Sequence, residues 1–280
     1  MNASEQEIKS RAIKLQLSNG YYLRFEHLSH LLHYVMSKPD ISRFPPEELT
    51  SALGMSPRMI ENLTSYGVSL GLLTQRSCKP TEFGKLIDKQ DPFFDKNETL
   101  WFLHYTISSN GKYVVWNRLI NRVFPEESEV TTKVARRYFS DLNGHFSEKS
   151  LKRHLANEIG VLFNAYTEQK FSHLEYIRKL SEKVYQLNQS IQVPDPCILA
   201  SCYLYRDRYA KGATGVEIEH LAKEENSPGK VFHISEHQLR LALERLHRER
   251  RISIESRANL DQIRFQANKN WLNIVKQFYE

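Results

Sequence analysis

Val193-Pro194-Asp195-Pro196 constrains this chain more than any other four residues. Two prolines within three positions remove amide donors and disfavour the α conformation before them, so no helix continues through. Helical periodicity reaches this point from one side and starts afresh on the other, which makes it the domain boundary. A length of 280 residues allows two domains at roughly 100 to 200 residues each. The 40% hydrophobic and 11% aromatic content suffices for packed cores and excludes wholesale disorder.

Before the break, Leu28, Leu31, Leu32, Val35 and Met36 carry the i, i+3, i+4 spacing of a half-buried helix that Pro39 stops. Pro45 and Pro46 open a short helix with Leu49, Ala52 and Leu53 inward, closed by Gly54. Ser56-Pro57 then joins a capping residue to proline in the first turn, the preferred start of a third helix. Met59, Ile60, Leu63, Gly67 and Leu70 form its apolar face and Gly71 its C-terminal cap. With Leu72 and Leu73 following, this is the layout of a helix-turn-helix with a wing. The middle reads as helical: Trp101, Phe102 and Tyr105, then Val114 to Val123, then a helix capped by Ser147 with Leu151, Leu155, Ile159, Leu162, Phe163 and Tyr166 inward. Leu174, Ile177, Val184, Leu187 and Ile191 continue its period past a kink near Phe171.

After the break, Cys197 to Tyr209 reads as a helix, Val216 to Lys223 as a second, and Ser235 caps a third with Leu239, Ala242, Leu243 and Leu246 inward. Residues 251–255 and 261–265 alternate polar and apolar about a turn at 256–259, a two-stranded hairpin. The expected fold is mainly α, two winged-helix (helix-turn-helix) units joined by a helical middle region. Its segments are residues 1–130, the helical connector 131–192 and the C-terminal winged helix 193–280.

The catalytic census points away from an enzyme. No P-loop, dinucleotide glycine fingerprint, His-Glu-x-x-His or Cys-x-x-Cys occurs. Gly67-Val68-Ser69-Leu70-Gly71 matches Gly-x-Ser-x-Gly, but a nucleophile elbow follows a strand and here a helix precedes. His247-Arg248-Glu249-Arg250 with Tyr279 echoes tyrosine recombinases only faintly, and their catalytic core does not fit after the proline boundary. Cys197 and Cys202 sit about 140° apart on a helix, so they diverge rather than join His233 and His237 on zinc. They are expected as small buried residues. No catalytic residue, metal or cofactor is assigned. Three cysteines, no apolar leader in the first 20 residues and no apolar run near ~20 residues point to a reducing, cytoplasmic setting without a membrane span.

Charge placement carries the functional expectation. The net charge of +6 is modest, but residues 240–257 hold Arg240, Arg245, Arg248, Arg250, Arg251 and Arg257 against three glutamates, over a third helix and its hairpin. His237, Gln238, Arg240, Glu244, Arg245 and Arg248 face outward to read a groove, with Arg250, Arg251 and Arg257 on phosphates. A second cluster holds Lys133, Arg136, Arg137, Lys149, Lys152 and Arg153 against Asp141 and Glu148. Charge runs of this kind are usually solvated helix faces. On the N-terminal third helix Ser56, Arg58, Asn62 and Ser65 form the exposed set, where protein binding competes evenly with DNA contact.

The words Tyr22-Leu23-Arg24-Phe25, Gly71-Leu72-Leu73, Lys79-Pro80-Thr81-Glu82-Phe83-Gly84, Asp91-Pro92-Phe93-Phe94, Thr99-Leu100-Trp101-Phe102-Leu103-His104-Tyr105, Ser109-Asn110 and Trp116 carry a resemblance. Over its first ~125 residues the chain resembles an uncharacterised bacterial family, a domain of unknown function encoded beside phosphorothioation-type sulfur-transfer and other phage-defence genes. Where family members carry His-Glu-Thr before the Leu-Arg pair, this chain has Ser18-Asn19-Gly20-Tyr21. The resemblance implies genomic company rather than catalytic residues. The expectation is a non-enzymatic double-stranded DNA-binding component of a bacterial DNA-modification or phage-defence system, with other subunits as partners and transcriptional regulation as a variant. The competing class is an adaptor that uses its winged helices, or the aromatic segment from Trp101 to Trp116, for docking.

Overall fold

Serine, threonine and asparagine side chains cap several helices in the computed structural model, which describes residues 13–257 and 260–280, the side chains of Arg257 and Leu260 excepted. The described chain is mostly helical with two small antiparallel sheets, and it divides into two units, Met1–Asn188 and Gln189–Glu280.

In the first unit, α1 (Phe25–Met36) and α2 (Pro46–Leu53) precede α3 (Pro57–Ser69), whose Ser56 hydroxyl accepts from the Met59 amide. Gly71 takes φ +76°, which lets the Leu72 amide reach back to the Gly67 carbonyl at 2.8 Å. Leu73 pairs with Pro80 in one β-bridge around the Thr74–Lys79 turn, and Thr81 caps α4 (Glu82–Gln90). The inward trio expected on α2 needs correction. Leu49 is buried, Leu53 half-buried and Ala52 exposed, because an eight-residue helix at the rim buries a single turn.

Every residue from Thr99 to Ser108 on α5 (Asn97–Ser108) is buried, so this helix is core on all sides. The aromatic residues between Trp101 and Trp116, namely Trp101, Phe102, Tyr105, Tyr113 and Trp116, are buried, so their rings form core and not an exposed docking surface, which corrects that part of the adaptor expectation. Next come α6 (Val114–Arg118), a π-helical stretch (Leu119–Val123), α7 (Phe124–Glu126), α8 (Thr132–Arg136), a 3-10 turn (Arg137–Leu142) and α9 (Glu148–Thr167). Ser147 caps α9 through the Ser150 amide, and the expected inward set from Leu151 to Tyr166 is buried. Phe25 meets the rings of Phe94 and Phe171 edge-on at 5.2 Å each, and Tyr166 stacks on Phe171 at 5.1 Å.

Past Thr167 the expected helical continuation fails. A 3-10 turn (Lys170–Leu174) leads through Glu175, at φ +49°, into a hairpin of β1 (Ile177–Ser181) and β2 (Val184–Leu187). Ile177 faces Leu187 across the ladder, so their ten-residue separation comes from strand pairing.

The second unit, from Gln189, reaches its first helix at the proline pair. Pro196 occupies the first turn of α10 (Asp195–Tyr209), where a missing amide costs nothing. There follow β3 (Gly215–Glu217), α11 (Ile218–Lys223), α12 (Pro228–Phe232), α13 (Glu236–Arg248), β4 (Ser253–Arg257), β5 (Leu260–Arg264) and α14 (Trp271–Lys276). The antiparallel sheet runs β3-β5-β4, one strand more than the expected hairpin. Ser256 and Arg257, expected in the turn, pair with Asp261 and Leu260 within the strands, and Ala258 and Asn259 lie outside the described residues. Among the described residues no helix is long and apolar enough to cross a membrane.

Candidate nucleic-acid interface

Helix α13 is built to present one face. A reciprocal capping box, Ser235 hydroxyl to the Gln238 amide and Gln238 side chain to the Ser235 amide, fixes its start. Leu239, Ala242, Leu243 and Leu246 pack inward, leaving His237, Gln238, Leu241, Arg245 and Arg248 outside.

The expected readers on this face divide into two groups. Arg240 leans towards the hairpin and ion-pairs with Glu244 at 3.0 Å and with Asp261 of β5. Arg245 leans the other way and forks onto both oxygens of Asp195, at 2.6 and 2.7 Å, at the start of α10. That bidentate contact raises the Arg245 guanidinium above its ordinary value. The two arginines brace α13 against its neighbours, and Gln238 is committed to the cap. His237, Arg248 and Arg250 are exposed, and among the described residues none of the three is in an ion pair. Arg250 sits at φ +59° where the chain leaves α13 for the hairpin, its carbonyl held by the Gln266 side chain at 2.7 Å. Arg251 is half-buried and donates to the Gln277 side chain. The Arg257 side chain lies outside the described residues. Sequence reading missed Leu241, which is 42% exposed amid this polar face.

The other candidates lie in the first unit. Arg58 is exposed, whereas Asn62, expected outside, is buried: its amide donates to the Arg58 carbonyl at 2.6 Å and its oxygen accepts from Asn19 at 3.0 Å. The segment before α1 covers that flank of α3, which no helical period could announce. In the middle cluster, Arg136 is half-buried and donates to the Lys152 carbonyl, and Arg137 ion-pairs with Glu127 at 3.1 Å. Lys133, Lys149, Lys152 and Arg153 are exposed on the packed pair α8 and α9.

Ser69 is buried at the end of α3 and donates to the Tyr66 carbonyl at 2.9 Å, a local helix contact. Cys197 and Cys202 are both buried, and burial pushes the Cys202 thiol up. Among the described residues no group of three or more His, Cys, Asp or Glu side chains is placed to hold a metal ion.

The architecture defines a mostly helical two-unit protein whose second unit combines its helices with a three-stranded antiparallel sheet. The chain belongs to a family of unknown function, DUF4007, whose sequence model matches residues 19–279. No curated protein matches it. Two solved structures share its fold. One is an SspB crystal structure, at TM-score 0.79 and 17% identity over 96% of this chain and 89% of that one. The other, magnesium ion-bound SspB, gives TM-score 0.78 and 16% identity over the same shares.

Proposed function

We propose that this protein binds double-stranded DNA through its second unit. The reading takes residues 193–280 as a winged helix, with α13 as the groove-facing helix and β4–β5 as the wing. The order helix, strand, helices, strand, strand and the sheet order β3-β5-β4 support it. The observation that carries it is the cationic corner where α13 meets the hairpin. There Arg248 and Arg250 are exposed with no ion pair among the described residues, while Arg240 and Arg245 hold the helix in place. Charge left unpaired on such an element suits phosphate oxygens. Base reading passes to His237, because Arg240, Arg245 and Gln238 already have partners. The cluster from Lys133 to Arg153 is a second polyanion surface in this reading, without a groove-reading element of its own.

The protein's setting, in this proposal, is a non-enzymatic component of a bacterial DNA-modification or phage-defence system. The support is family membership and a fold shared with SspB. One observation favours the adaptor reading: Leu241 exposes an apolar side chain at the centre of the α13 face, where a protein partner gains more from it than a phosphate backbone does.

Fluorescence anisotropy with a random-sequence duplex at two salt concentrations tests the proposal. The full chain should bind with an affinity that falls steeply with salt. Arg248→Ala and Arg250→Ala should each weaken it and flatten the salt slope by about 0.9. Absence of duplex binding at low salt would transfer the α13 face to the adaptor class. Conversion of supercoiled plasmid to nicked circles in magnesium would overturn the non-enzymatic part.

A further inference from the structure

The first unit contains a concavity of about 540 Å³ between the start of α2, one flank of α3 and the Thr74–Lys79 turn. Four cationic side chains line it, Lys14, Arg43, Arg76 and Lys112, against a single carboxylate, Glu61. Among the described residues none of the four is in an ion pair. They come from four separate stretches of chain, so no local charge run marks the place.

The backbone gathers them. The Lys14 amide donates to the Lys112 carbonyl at 2.8 Å, which sets those two residues side by side. The Phe44 amide donates to the Ser77 carbonyl at 3.0 Å and ties Arg43 to the turn. Within that turn Arg76 takes φ +76° and Cys78 φ +57°, left-handed conformations that non-glycine residues rarely adopt. A bond from the Thr74 amide to the Lys79 carbonyl at 2.8 Å and one between the Thr74 and Ser77 hydroxyls at 2.6 Å hold the turn in that form. Backbone strain of this sort collects at functional sites. Burial, and then the charge of Lys112, keep the Lys14 ammonium below its ordinary value. Apolar side chains, Phe44, Leu49, Ile60 and Val68, share the lining with the cations.

Four like charges around one concavity repel one another, and an anion of several charges relieves them. Lysine and arginine donors match phosphate oxygens, and a volume of this size lies within the range of small-molecule sites, about 300 to 1,000 Å³. We propose that this concavity binds a nucleoside di- or triphosphate, its phosphates against Lys14, Arg43, Arg76 and Lys112 and its base against the apolar part of the lining. The site belongs to the first unit and does not depend on the α13 reading.

Titration calorimetry of the full chain with ADP and ATP at low salt tests this. One equivalent should bind, more weakly as salt rises, and inorganic tripolyphosphate should compete. Lys112→Glu and Arg76→Ala should each lower the affinity about tenfold or more, whereas Arg250→Ala should leave it unchanged. Thermal melts check that each variant is folded, and Arg43→Ala, at an exposed position, replaces any that is not. No saturable binding up to about 1 mM nucleotide, or an affinity unchanged in every variant, overturns the proposal. So does binding of a 5′-phosphorylated oligonucleotide at these residues with free nucleotides excluded. Binding that appears only after residues 1–12 are removed would assign the cations to Glu5 and Glu7 of this chain and overturn it as well.

Discussion

Glu158 is an acid placed where its charge is expensive. Its side chain is 1% exposed, and its oxygens accept the Ser18 amide at 2.9 and 3.2 Å and the Ser18 hydroxyl at 2.7 Å. Burial raises its pKa above the ordinary 4.5, and the hydrogen bonds from Ser18 only partly oppose that. A carboxyl with a raised native pKa binds protons more readily folded than unfolded. Its contribution to stability therefore grows as pH falls through the native value and levels off below 4.5. The stability of the wild type relative to Glu158→Gln should consequently increase on acidification from neutral pH, as measured by denaturant unfolding at several pH values. A pH-independent difference would show that Glu158 titrates normally. At this scale sequence reading was at its weakest. Arg240 and Arg245 were legible as cations on an outward face, but their partners Asp261 and Asp195 stand 21 and 50 positions away. Asn62 was placed outside by its helical period and is inside because a distant segment, at Asn19, lies over it.

Helix pairs meet by backbone approach at one point that a single methyl would test. A Cβ on Gly229 would stand 2.3 Å from the Ala222 carbonyl oxygen and 2.6 Å from its Cα, so α12 crosses α11 only because residue 229 has no side chain. Gly229→Ala should destabilise the fold by about 1 to 3 kcal/mol through overpacking. Gly160 lies in the exposed middle of α9 with nothing within 4 Å of its would-be Cβ, and Gly160→Ala should stabilise by about 0.5 to 1 kcal/mol. Urea unfolding of both variants measures the contrast, and equal shifts would contradict it. Capped helices were readable because capping is local: Ser56 and Ser147 accept the amides three residues on, as their spacing announces. The same Ser-Pro start recurs at Ser227-Pro228, where it opens α12, a helix whose five residues are too few to show a period. The β1–β2 hairpin was lost for the opposite reason. Ile177, Val184 and Leu187 fall at intervals of seven and three, which a helix and this ladder satisfy equally, and Lys183 at φ +64° turns the chain without glycine.

On the scale of the whole molecule, the proline break governs how the chain can be divided. Unit Gln189–Glu280 has its own buried set, including Leu199, Tyr203, Leu221, Phe232, Leu243, Ile263 and Val275, and α12, α13 and α14 carry side-chain caps from within it. Arg206 lies over the rings of Tyr203 and Phe265 at 4.9 and 4.7 Å, closing the sheet side of that core from within the same unit. Residues 189–280 expressed alone should therefore fold and unfold cooperatively, with coincident transitions by circular dichroism and tyrosine fluorescence. A sloping, probe-dependent transition would mean that this core needs residues from the first unit. The same fragment separates the two basic surfaces. If the phosphate contacts all belong to the second unit, its duplex binding should keep the full chain's salt slope. If the exposed lysines and arginine of α8 and α9 also engage DNA, the fragment should lose about 0.9 of slope for each phosphate they neutralise. Measuring both slopes under one buffer series assigns the electrostatic footprint to one unit or to two.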